Sequence, residues 1–340
     1  MKNIDKIKKD RNLGLEVLRA ILCFWVITFH CFHNKNCKTP YTKRKKYHVP
    51  CFFFISFYFL YPILFNKNMD KMKFRLVRLL IPYLVWPLII FLIENISFLL
   101  CKTNIINRII TFNDLKIQII LGRNFMAHLW FLFNLLFLTI LFFIMTFIFA
   151  YYNFLFILQI LGISSYILQY SRYNYTFFDN YTNAIRHSIG YFAETIPFAS
   201  SAFLLSSLNF VEKMKEHRKK TLFIFFMFLY LIIKYNIFSY LSGYTYKGIE
   251  NNIISLLLFN IFILIPFENL KPKILNNLLV ILSRYTQGIY CIHIYISYIV
   301  SLIFNIKGTL FGCFIIYFFG YIISLIGSKI FHRNKLRFLF

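Results

Sequence analysis

Runs of about 17–25 apolar residues recur along almost the whole chain, and they constrain its fold more than any other feature. Inside a lipid core there is no water to bond the backbone, so each N–H and C=O must find a partner within the protein. A helix meets that demand residue by residue. The expectation is an all-α integral membrane protein, a polytopic bundle of about ten transmembrane helices. The spans read at roughly 13–32, 50–65, 76–101, 128–150, 153–170, 187–209, 221–240, 251–267, 277–303 and 308–331. The connections between them are about 15–25 residues at most, too short for a separate soluble core. The chain therefore divides into a basic N-terminal segment (1–12), one membrane domain (13–331) and a basic tail (332–340).

Charge is uneven, with 38 Lys and Arg against 12 Asp and Glu and a net charge of +26. In a soluble protein that balance would suggest nucleic acid. Here the cations lie between apolar spans, so they read as topology anchors in contact with anionic lipid, and nucleic acid is not expected. An even number of spans puts both termini on one side, and the segments on that side hold the larger share of Lys and Arg. That side is taken as the cytoplasm, and a bacterial inner membrane as the expected location. Lys43-Arg-Lys-Lys46 then falls outside, either as a solvated charge run or as a contact for a polar or phosphate-bearing substrate. The seven cysteines contain no C-x-x-C pair. They read as small buried hydrophobes, with a Cys31–Cys37 disulfide open if that loop meets an oxidising compartment. No metal site is expected, and the oligomeric state stays open, a homo-oligomer included.

Ionisable residues at membrane depth are costly and point to function. Arg19 and His30 both lie in the first span. Eleven residues at about 100° each bring them back to one helical face within about 20°, roughly 16 Å apart along the axis. Glu16 precedes Arg19 by three residues, so the two can pair. That pair either packs helices or orients a guanidinium in a cavity. His30 is the plausible general base of this span, since imidazole takes a proton near neutral pH. Arg75 and Arg78 open the third span one turn apart and can grip a phosphate or pyrophosphate, or simply anchor the inner face. His128-Leu-Trp130-Phe131 opens the fourth span; Trp130 fits an interface aromatic and His128 a polar acceptor. Arg284, Gln287 and His293 make the ninth span too polar to face lipid on all sides, so one face lines a cavity.

Taken in order, these pieces resemble a family. Glu16-x-x-Arg19 followed by His30 resembles the first helix of the type-three membrane acyltransferases, integral enzymes that O-acylate cell-surface sugars. Val49-Pro-Cys-Phe-Phe-Phe-Ile-Ser56 is similar to that family's phenylalanine run ending in Ser-Gly. Arg75-x-x-Arg78 with Pro82-Tyr83 resembles its third-helix arginine motif, and His128-Leu-Trp-Phe131 its His-Leu-Trp signature. Ser283 through Gly288-Ile-Tyr290 to His293 resembles its late Ser-x-Gly-Ile-Tyr…His helix. Two departures stand out: Phe57 occupies the place of the glycine after Ser56, and Ser206-Ser207 that of a glycine-containing stretch.

The resemblance implies transfer of an acyl group, most often acetyl, from acyl-CoA to a sugar hydroxyl, an O-acetylation that modifies a surface polysaccharide or its lipid-linked precursor. Acetyl-CoA would be a co-substrate and no cofactor would stay bound. Arg75, Arg78 and Tyr83 would hold the donor. His30 would act as base, with Arg19 and Glu16 tuning the cavity. Ser56, His128, Trp130, Arg284, Gln287 and His293 would line it or bind the acceptor. Direct transfer and a covalent acyl-histidine both remain open. The rival reading from the residues alone is a transporter or flippase of a polar or lipid-linked glycan.

Overall fold

The computed structural model describes residues 12–32, 48–101, 109–122, 125–126, 129–174, 183–208, 210–241, 249–266, 281–304 and 309–330. Residues 1–11, residues 331–340, Cys37, the Lys43–Lys46 run and His128 lie outside the described residues. The chain is an all-α membrane protein, with no strand among the described residues. In order, the helices are α1 (Leu13–Phe32), α2 (His48–Phe65), α3 (Met69–Cys101), α4 (Phe112–Leu121), α5 (Trp130–Ile148), α6 (Tyr151–Asn174), α7 (Asn183–Ser207), α8 (Phe210–Glu216), α9 (Arg218–Leu241), α10 (Ile249–Leu264), α11 (Thr286–Phe304) and α12 (Leu310–Ile330). Ten of them overlie the stretches expected to span the membrane. By length and composition, α1, α5, α12 and the Met69–Leu99 part of α3 are each able to cross it; the apolar stretches of α2, α6 and α10 are shorter.

The turn between α2 and α3 positions the site. After α2, the Lys67 N–H bonds to the Leu64 carbonyl and the Asn68 N–H to the Ile63 carbonyl, both at 3.1 Å, with Lys67 at φ 49°. This is a left-handed helix stop. Asn68 then caps α3 at once, its side-chain oxygen accepting from the Lys71 N–H at 3.0 Å. So α3 begins at Met69 rather than near residue 76. The extra two turns place Asp70, Lys71 and Arg75 inside the helix, where its period governs their direction.

Helix α2 is the hub, packed against α1, α3, α5, α7 and α10. Its phenylalanine run fills the middle, with Phe53, Phe54 and Phe57 fully buried. Phe57 packs against Phe142 of α5 and Phe203 of α7, with ring centroids 5.7 and 6.3 Å apart, and Phe154 of α6 meets both of those rings. A large ring thus fills the place where a glycine would let backbones approach. Lipid tails are as apolar as phenylalanine, so these contacts hold helices together by packing and dispersion rather than by escape from water. Interhelical hydrogen bonds add direction: Asn134 to Thr195 at 3.1 Å joins α5 to α7, and Gln159 to the Ser200 carbonyl at 3.0 Å joins α6 to α7.

Helix α1 lies against α2, α10, α11 and α12. Its backbone comes so close to α10 that a Cβ on Gly14 would stand 1.7 Å from the Phe262 carbonyl oxygen. Asn12 secures the same crossing through its side-chain N–H to the Ile263 carbonyl at 3.1 Å. Along α11 the contacts rise together in both helices: Glu16 with Ser283 just before α11, Cys23 with the Thr286 carbonyl, His30 with His293, and Cys31 with Ser297. The two helices are therefore parallel. On the periphery, α9 presents Phe223, Phe226, Phe228 and Tyr230 outward, as a helix in contact with lipid does.

Candidate active site

A cavity of about 590 Å³ opens between α1, α2, α3, α5 and the start of α11. Its cationic wall holds Arg19, Arg75, Arg78 and Lys71, with Asp70 the acid beside them. Three guanidiniums converging from α1 and α3 repel one another, and such a cluster suits an anion with several charged oxygens.

Each arginine is held differently. Arg19 donates to Glu16 at 3.2 Å across one helical turn, and Glu16 also accepts from the Ser283 hydroxyl. The Glu16 side chain is 13% exposed and that of Arg19 is 31%, so the pair sits at the cavity wall rather than in bulk solvent. The Arg19 guanidinium lies 5.9 Å from the centre of the Phe59 ring. Arg75 donates through one Nη to the Ser56 hydroxyl at 2.7 Å, while its buried Nε has no hydrogen-bond partner. Arg78 and Gln287 bracket each other: Nε of Arg78 donates to the Gln287 side-chain oxygen at 3.2 Å, and the Gln287 amide returns a bond to the Arg78 carbonyl at 3.1 Å. That bracket ties α3 to α11 at the cavity edge.

Farther along the bundle the cavity becomes apolar. Phe52 and Ile55 of α2, Phe131 and Leu132 of α5 and Tyr290 of α11 close it. Beyond Tyr290 lie the two imidazoles, which do not line the cavity. His293 is 1% exposed and its ring centre is 5.8 Å from that of Tyr290 and 5.0 Å from that of His30. The Nδ1–H of His293 donates to the Tyr290 carbonyl at 2.7 Å; a carbonyl can only accept, so this bond fixes which nitrogen carries the proton. Gln287, Tyr290 and His293 follow one another at three-residue spacing on α11, each step turning about 60°, so this ridge winds from the arginine cavity round to the histidines.

The structure thus brings Arg19, Ser56, Arg75, Arg78 and Gln287 to one cavity, with Glu16 holding Arg19, and sets His30 with His293 behind it. Three expected members stand elsewhere. Tyr83 is 3% exposed, does not line the cavity, and its hydroxyl donates to the Gln118 and Ile119 carbonyls near the end of α4, which ties α3 to α4. Arg284 is exposed and off the cavity: it lies about 60° round the helix from Gln287, on the side away from Ser283 and Tyr290, which line it. Trp130 is half-buried against Phe53, 5.8 Å between ring centres, and does not line the cavity. Asp70 and Lys71 were not singled out from the sequence, because the third span was expected to start after them. Their spacing from Arg75 along a helix beginning at Asn68 was the available signal.

A family model described as an acyltransferase domain matches residues 12–333, nearly the whole chain. No curated protein and no solved structure matches it.

Proposed function

This chain belongs to the type-three acyltransferase family, and from that membership we propose that it moves an acetyl group from acyl-CoA to a hydroxyl of a cell-surface or lipid-linked sugar. The observation that carries the reading is the order along the bundle: a three-arginine cavity at the end where α1 begins, then a narrow apolar stretch, then the His30–His293 pair. The donor's phosphates match the arginine end, which we place in the cytoplasm of a bacterial inner membrane on the charge asymmetry of the connections. Its pantetheine arm is narrow and largely neutral, as the apolar stretch requires. The acceptor then enters from the opposite side.

The chemistry follows with atoms in balance. The acceptor O–H gives its proton to His30 as its oxygen attacks the thioester carbonyl carbon. The C–O bond forms, the C–S bond breaks, and the CoA thiolate leaves and takes up the proton from the imidazolium. Glu16 holds Arg19 in place, and Arg19, Arg75 and Arg78 hold the donor so that binding energy is spent on orientation.

The test uses protein in proteoliposomes with acetyl-CoA labelled in its acetyl group and a pool of sugar acceptors. Loss of label from CoA in the wild type, abolished in His30→Ala with folding intact, is the expected result. Normal turnover in His30→Ala overturns His30 as base. Neither turnover nor acetyl-CoA binding in the wild type overturns the donor assignment and returns weight to glycan transport.

A further inference from the structure

We infer that Phe131, seated against Tyr290, is the residue that limits the acyl group to a short chain; this rests on the donor reading above and deepens it. The cavity is polar where α1 and α3 meet and aromatic at the other end. Phe131 is the centre of that end. Its ring lies 4.6 Å from Phe53, 6.0 Å from Phe52 and 5.4 Å from Tyr290, centre to centre, so it joins α2, α5 and α11 in one wall. Tyr290 is the step from the wall to the histidines, touching Phe131 on one side and His293 on the other.

The consequence is steric. A thioester must bring its carbonyl carbon to the histidine pair; His293 stands three residues past Tyr290 on α11, about 4.5 Å along the axis, with the His30 ring of α1 5.0 Å from it. The atoms beyond that carbonyl, the acyl tail, need room beside the path. Ile55 and Leu132 line that end as apolar surface, and the Phe131 ring stands in the same wall against Tyr290 and Phe52. A methyl group fits beside an aromatic face; each further methylene meets a ring packed on three sides, in an interior that does not yield cheaply to added volume. Phe131 is therefore the selector, and Tyr290 its backing.

Truncating the ring opens that space. Phe131→Ala frees a volume for several methylenes, and each methylene that gains an apolar wall is worth about a fourfold change in selectivity. The experiment measures kcat/KM for acetyl-, butanoyl- and hexanoyl-CoA with wild type, Phe131→Ala and the milder Phe131→Leu. In the wild type acetyl is expected to lead. In Phe131→Ala the butanoyl-to-acetyl ratio should rise about tenfold or more, and in Phe131→Leu by a smaller factor in the same direction. Affinity for acetyl-CoA, measured by calorimetry, is expected to change far less, because the arginine end is untouched. An unchanged ratio in either folded, active variant overturns the inference, as does a wild type that already uses hexanoyl-CoA as well as acetyl-CoA. If Phe131→Ala does not fold, the Phe131→Leu ratio decides. Wild-type protein that neither binds nor turns over any of the three donors overturns the donor reading instead, and so the two failures are told apart.

Discussion

The Arg75–Ser56 contact offers the sharpest test of how the cavity holds an anion. The bond is 2.7 Å long and charge-assisted, yet it uses one of five guanidinium N–H donors. Removing the hydroxyl by Ser56→Ala has two opposed effects. It frees one donor for a ligand, and it lets the guanidinium swing. Arg75 already has a buried Nε without a partner, so a further donor adds little. Restraining a long side chain that was free costs about 0.5–1.5 kcal/mol on binding. The loss of restraint wins, and acyl-CoA affinity in Ser56→Ala should fall about threefold to tenfold. Arg75→Ala removes the charge and its hydrogen bonds, worth about 1.5–3 kcal/mol, or roughly a 10- to 150-fold loss. On this account Ser56 acts through Arg75, so Ser56→Ala in the Arg75→Ala background should change affinity by less than about 1.5-fold, a coupling that a double-mutant cycle isolates. Calorimetry with acetyl-CoA on protein in nanodiscs reads all four states. Full additivity of the two losses, or tighter binding in Ser56→Ala, refutes this account of the contact.

Tyr83→Phe separates a structural hydroxyl from a donor-binding one. It should lower thermal stability by about 1 kcal/mol through the lost bonds to α4, while acetyl-CoA affinity stays within about twofold. A large affinity loss with unchanged melting would restore Tyr83 to the donor site. Gly14→Ala drives a methyl into the Phe262 carbonyl and forces α1 away from α10, so melting in detergent should drop by the equivalent of about 3 kcal/mol or more; wild-type melting would mean the helices part without cost.

The ten apolar runs were legible because membrane burial writes itself as uninterrupted hydropathy, and each run overlies a helix. Where helices begin was harder to read. Asn68 starts α3 inside a polar connection, where hydropathy carries no signal and only the cap chemistry does. Helix α4 was missed for the same reason, although Thr111 and Asp114 form a capping box and Gly122 ends the helix at φ 70°. Within the site, Glu16 with Arg19 followed from three-residue spacing. The meeting of Arg78 with Gln287 did not, since nothing local relates positions on two helices so far apart in sequence. Arg284 illustrates the limit: its spacing puts it within about 60° of Gln287, but the cavity lies on the other side of Gln287, toward Ser283 and Tyr290, and sequence does not say which side faces inward. Phe57 reads as a lost glycine in sequence and as a filled core in three dimensions.

The parallel pairing of α1 with α11 has a consequence for biosynthesis. Glu16 and His30 are made and inserted among the first residues, but their partners Ser283 and His293 emerge only near the end of translation. Until then the nascent protein holds an acidic residue and an imidazole at membrane depth with half of their surroundings missing. A chain that stops before residue 280 can settle in the bilayer and pack α2 against α7, yet it holds no closed reaction chamber. On the proposed reading the chamber is completed only in this late step, and a chain cut before residue 280 is expected to show no turnover.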